Sequence, residues 1–129
     1  MYRKIILSLI FATIWYTKPV VAHEMTPTYP VFHPSYMAGV HKVTMSIFNK
    51  RKDVDWYEIG VFDKDRNRIP FVSQYSVMRL DYLDHLTFDV YVRDLDVERV
   101  AYICSRSKIS AGDASPTLVA SVICSKPRH

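Results

Sequence analysis

Two cysteines and five histidines carry most of the chemistry this sequence could support. Cys104 and Cys124 lack the C-x-x-C spacing of redox and zinc pairs. No histidine lies near either of them except His129. A disulfide joining the two is the simpler chemistry. Closing a loop of about 20 residues stabilises a fold by roughly 3 kcal/mol in the chain-entropy model. Paired residues of an antiparallel hairpin have numbers of constant sum, so a Cys104–Cys124 pair centres its turn near Ala114. That point falls within residues 111–117 (AGDASPT), whose Gly, Asp, Ser and Pro are turn chemistry. Among the histidines, His23 stands out. If a leader is removed after Ala22, His23 becomes the first residue, and its free α-amine and imidazole together suit Cu(II). Such a site needs a further ligand from His33, His41 or His85, and spacing selects none of them. The competing reading is that cleavage leaves a histidine there by accident. Oxidised cysteines are not nucleophiles. No G-x-S-x-G, H-E-x-x-H or P-loop occurs, so the sequence reads as non-enzymatic with no cofactor. Asp94-x-Asp96 lacks the Gly and further acids of a calcium loop and reads as a solvated corner. Asp63-x-Asp65 reads as a turn.

The start of the chain sets the compartment. Arg3 and Lys4 precede an apolar run, residues 5–16 (IILSLIFATIWY), followed by TKPVVA with Val20 and Ala22 at the small-residue positions. This is the three-part pattern of a cleavable signal peptide over residues 1–22. The run is too short for a spanning helix, which needs about 20 apolar residues, so no transmembrane segment is expected after cleavage. Removing Arg3, Lys4 and Lys18 takes the net charge from +4 to about +1. The basic balance of the whole chain is therefore no argument for nucleic acid. Residues 23–129 suffice for one domain in an oxidising, periplasmic or extracellular compartment.

The elements that must position these residues are strands. Period-2 patterning dominates, and no segment sustains a 3.6 period. Residues 23–36, with Pro27, Pro30 and Pro34, read as an extended edge. Residues 42–48 place Val43, Met45 and Ile47 on one face, and residues 56–62 place Tyr57, Ile59 and Val61 on another. Residues 63–68 (DKDRNR) read as a polar turn, and residues 69–72 and 74–80 as further strands. In residues 86–92, Leu86, Phe88, Val90 and Val92 face inward, and Thr87, Asp89 and Tyr91 outward. Residues 93–99 form a charged corner. Residues 100–104 and 118–124 are the last strands, with 105–110 prolonging the first of them. About seven short strands at this spacing indicate an all-β, antiparallel sandwich.

This order of features resembles the N-terminal immunoglobulin-like domain of periplasmic pilus chaperones of the PapD type. The resemblance rests on the extended edge at residues 29–32 and the alternating strand ending in Asn49. It continues through the aromatic-led strand from Trp56, the strand 86–92 and the Tyr-rich strand 100–104. It implies a single immunoglobulin-like sandwich and a protein partner. It does not imply the family's grip on a subunit carboxylate, because residues 23–36 contain no arginine and no second domain is read. Leu118, Ala120 and Val122 alternate like that family's donated strand, as any half-buried strand does. Tyr102-x-Cys104 is similar to an immunoglobulin tyrosine corner and Trp56 to the core tryptophan, while Met45 stands in place of the first cysteine. The runs HEMTPTYP, FDVYVR and YICS are similar to small exported proteins of marine bacteriophages, which implies provenance and no activity.

One further pattern points to binding. Arg106 and Lys108 alternate, and Lys126 and Arg128 follow the second cysteine, so a disulfide-closed hairpin carries basic side chains along one edge. Such an edge either meets an acidic protein or envelope component, or guards against aggregation by charge. The sequence thus reads as an exported binding module, with a copper protein built on His23 as the alternative.

Overall fold

The computed structural model describes residues 22–108 and 120–129. Residues 1–21 of the expected leader and the turn expected at 111–117 lie outside these residues. The described chain runs β1 (Glu24–Thr26), β2 (His33–Pro34), β3 (Val40–Phe48), β4 (Trp56–Phe62), β5 (Val72–Ser73), β6 (Val77–Arg79), β7 (His85–Arg93), a single helical turn α1 (Asp94–Val97), β8 (Tyr102–Lys108) and β9 (Val122–Ser125). The strands form two antiparallel sheets. One has the order β1-β3-β7-β5, with β2 also on β3; the other is β6-β4-β8-β9. Among the described residues no helix is long and apolar enough to cross a membrane.

Alternation builds the core. Val43, Met45 and Ile47 of β3 lie opposite Val90, Phe88 and Leu86 of β7. All are buried except Leu86, which packs against the cluster from its margin. Tyr57, Ile59 and Val61 of β4, with Ile103 of β8, cover them from the second sheet. Each such side chain contributes about 1.5–3 kcal/mol on leaving water. A one-residue slip of either long strand would turn its apolar set to solvent, so the register is strongly specified.

The structure differs from the sequence reading in four places. Trp56 is only half-buried, and its neighbour Tyr57 fills the core instead. Tyr102 is no tyrosine corner: Arg66 and Lys126 stack against its ring. The corner after β7 is not fully solvated. Asp96 is buried within α1 and held by Arg93 at 2.8 Å and Arg99 at 3.0 Å, because a buried carboxylate needs such partners. Finally, the strand read at 69–72 begins only at Val72; Ile69 is instead a buried residue whose amide donates to the Val61 carbonyl.

The Pro-rich first segment joins the two sheets. β1 and β2 both pair with β3. Between them, the carbonyls of Thr28 and Pro30 accept bonds from the amides of Lys126 and Arg128, each at 2.9 Å. The chain after β9 therefore runs parallel to this segment, with a bridge from Val31 to Arg128. At the opposite pole Asn49 closes the end of the sandwich. Its side-chain amide donates to the Val54 and Leu80 carbonyls at 2.8 Å, and its oxygen accepts from the Tyr57 hydroxyl.

Candidate functional site

The hairpin of β8 and β9 is the region where the sequence-derived residues meet. Cys104 lies directly opposite Cys124, and a disulfide joins them. The Ser107 amide donates to the Ser121 carbonyl at 2.9 Å. Ser107–Ser121 is thus a hydrogen-bonded pair, and by alternation so are Ser105–Ile123 and Ile103–Ser125. Arg106–Val122 and Cys104–Cys124 are the pairs between them. The main-chain N–H and C=O groups of Val122 and Cys124 therefore point away from β8, toward the outer edge of β9. Lys126 confirms the parity, since its amide points the same way and reaches Thr28. Among the described residues, nothing pairs with the outward groups of Val122 and Cys124.

A buried polar network supports this edge from the core side. Ser105 and Ser107 face inward from β8 and are buried. His23 lies against them, 3% exposed. Its Nε2 is 2.7 Å from the Ser105 hydroxyl and its Nδ1 is 3.0 Å from that of Ser121. The imidazole packs on the Tyr57 ring at 4.7 Å between centroids. The Ser121 amide donates to the Ser107 hydroxyl at 2.7 Å, and Arg51 reaches the Ser121 hydroxyl at 3.4 Å while bonding Asp53. Burial pushes the His23 pKa down to about 4; hydrogen bonding with Ser105 opposes that shift and the Arg51 charge adds to it. Burial likewise raises Tyr57 to about 12. A neutral imidazole fits the two hydroxyls, since a serine can donate to one ring nitrogen and accept from the other.

The histidines of the copper reading are not brought together. His23 is engaged by two serines, His33 pairs with Lys42 on the sheet edge, His41 bonds Asp94, and His85 opposes Phe48 at the start of β7. Among the described residues no group of three His, Cys, Asp or Glu side chains is arranged to hold a metal. The geometry lends that reading no support.

The basic residues divide. Arg106 and Lys108 are both exposed on the outward face of β8, where Lys108 pairs with Glu58 of β4 at 3.3 Å. Lys126 lies at the far end of the same face, beside Tyr102. Arg128 turns to the first segment and stacks on Tyr29 at 4.9 Å. Two arginines that the sequence reading passed over join Arg106: Arg66 and Arg68, from the turn after β4. With Phe62, Val122 and Cys104 they line a cleft of about 250 Å³. The signal for them was the hairpin turn itself, because a turn returning beside β4 must place its side chains at the margin of β4's outward face.

No protein-family model matches the chain, and no curated protein matches it. Among solved structures the chain is similar to the E. coli chaperone DraB, with a TM-score of 0.61 and 20% identity over 82% of this chain. The chain spans about half of that chaperone, 53% of its length. The likeness is one of fold, and it agrees with the PapD-type, immunoglobulin-like sandwich that the strand pattern resembles.

Proposed function

We propose that this chain is an exported, non-enzymatic interaction module that captures an extended segment of a protein partner along the outer edge of β9. The observation that carries the reading is the set of outward N–H and C=O groups on Val122 and Cys124, in a strand fixed by a disulfide. Four such groups can bond an incoming strand, the mode of β-augmentation. The disulfide and the buried serine–histidine network hold β9 in place beforehand, which lowers the entropic cost of docking. The other edge of this sheet, β6, is three residues long and carries Arg79 flanked by Asp55 and Asp81, a charged and short edge of the kind that discourages pairing. A disulfide suits an oxidising compartment outside the cytoplasm, where the leader would deliver the chain. The chaperone likeness supports a protein as partner.

Val122→Pro tests this reading. Proline removes the outward amide of Val122 but no bond to β8, and edge strands tolerate proline where the N–H faces solvent. Binding of synthetic strand peptides with alternating apolar residues, measured by titration, should fall at least roughly tenfold. The thermal midpoint should fall by only a few degrees. Undiminished peptide binding by a folded Val122→Pro protein would move the site off this edge.

A further inference from the structure

We infer that the strand captured at β9 is acidic, with Asp or Glu at the positions that face outward, and that Arg66, Arg68 and Arg106 read those carboxylates. The inference rests on the strand-capture reading and adds the chemistry of the occupant. Three arginines line the cleft beside β9 against one carboxylate, Glu58, and Lys108 already pairs with that carboxylate. Among the described residues no carboxylate lies within 4.0 Å of any of the three guanidinium groups; Glu58 stands opposite Arg106 on β4 but forms its ion pair with Lys108. A concentration of one charge, exposed and without a counter-ion among the described residues, is complementary to an anionic ligand.

The arginines are held in place. Arg66 sits at φ 67° in the turn after β4. The turn is closed by the Asp63 carboxylate, which accepts from the amides of Asp65 and Asn67 at 2.9 Å each. The Arg66 guanidinium carbon lies over the Tyr102 ring, 4.1 Å from its centroid, and Nη1 is 3.8 Å from the Cys124 sulfur. It therefore already hangs over the edge strand. Arg68 stacks on Phe62 at 5.5 Å. Phe62 in turn folds back over Gly60, where a Cβ would lie 2.6 Å from the ring, so glycine is what leaves room for this floor. Arg106 stands directly across from Val122. A guanidinium held over a ring face can still offer N–H donors at its rim to a carboxylate.

Strand geometry connects the cleft to the edge. A strand added to β9 lies about 4.8 Å from it. Its alternate side chains fall on the same face as Val122 and Cys124, next to the Arg66 and Arg106 side chains. Acids at those alternate positions would meet the arginines, while the intervening residues would turn toward the core side. Specificity then comes from charge and affinity from the main chain, a division common in strand addition.

The test uses strand peptides alike except at the outward positions, which carry Glu, Gln or Lys. The purified protein should bind the Glu peptide roughly tenfold more tightly than the Gln peptide, and the Lys peptide least. The preference should shrink as salt rises. It should disappear in the Arg66→Asn, Arg68→Gln, Arg106→Gln variant. Asparagine is chosen at position 66 because it tolerates left-handed backbone. The Arg68→Gln, Arg106→Gln pair serves if the triple variant fails to fold, and should lose most of the preference. Equal binding of the Glu and Gln peptides overturns the acidic-partner inference while leaving strand capture intact. Failure of every peptide to bind overturns both. Binding of anionic phospholipid vesicles without any peptide preference would assign the arginines to a lipid surface and overturn this inference.

Discussion

Asn49→Ala should lower the stability of the folded chain by about 4 kcal/mol, the largest effect expected of any polar substitution here. Asn49 is fully buried, and its side chain makes four hydrogen bonds. It donates to two main-chain carbonyls, Val54 and Leu80, and accepts from the Arg51 amide and the Tyr57 hydroxyl. The first two belong to different loops, so one amide ties residues 49–55 to the chain entering β7. Alanine removes the partner of each group and leaves two carbonyls, an amide and a hydroxyl unpaired in a buried space. In a domain of about 100 residues, 4 kcal/mol corresponds to a fall of roughly 20 °C in thermal midpoint. Tyr57→Phe removes only one of the four bonds and should cost about 1 kcal/mol. A loss below about 1 kcal/mol for Asn49→Ala in chemical denaturation would show that solvent replaces those bonds and that the pole is not dry.

Acidification should destabilise the protein between about pH 6.5 and pH 4, by up to about 3 kcal/mol, through His23. The folded pKa of about 4 lies below the ordinary 6.5. The unfolded chain therefore binds more protons in that window. Stability is fully present above about pH 6.5, declines as pH falls, and for this group reaches its floor near pH 4. Protonation would place a second donor between hydroxyls already arranged for a neutral ring, beside the Arg51 charge. His23→Gln should flatten the slope in this window whatever its effect on stability at pH 7. Below pH 4 both proteins should weaken together. There the Asp53, Asp63 and Asp89 carboxylates, held below the usual range by hydrogen bonds from Arg51, Asn67 and Thr44, become protonated. An unchanged slope between pH 6.5 and 4 in His23→Gln would mean that the imidazole titrates normally and is not enclosed.

The two cysteines and the alternating strands were legible because each rests on local rules. A constant residue sum related Cys104 to Cys124 and set Arg106 opposite Val122. A period of two placed Val43, Met45, Ile47, Phe88, Val90 and Val92 inward. Asn49 was visible as the polar end of a strand, but nothing local showed that Tyr57, Val54 and Leu80 would converge on it. Burial of His23, Ser105 and Ser107 was invisible for the same reason: hydroxyls and imidazoles read as surface groups until distant partners supply their bonds, and His23 meets Ser105 and Ser121 across 82 and 98 residues of sequence. The exchange of Trp56 for Tyr57 in the core reflects an ambiguity of one residue in strand facing, which the flanking Ile59 and Val61 resolve. Arg66 and Arg68 escaped notice because a charged turn is ordinarily solvated. Their convergence on Arg106 depends on how the turn folds back over β4, and on the bare surface at Gly60.

Strand capture at the outer edge of β9 must change the exposure of that edge's main-chain groups. Residue-resolved amide hydrogen exchange, with and without the Glu-bearing strand peptide, tests it most directly. In the free protein the amides of Ile123 and Ser125, bonded to β8, should exchange slowly, and those of Val122 and Cys124 quickly. On adding the peptide, Val122 and Cys124 should become protected while Ile123 and Ser125 change little. Protection that appears along β6, at Val77–Arg79, or anywhere else while Val122 and Cys124 stay fast would contradict the account.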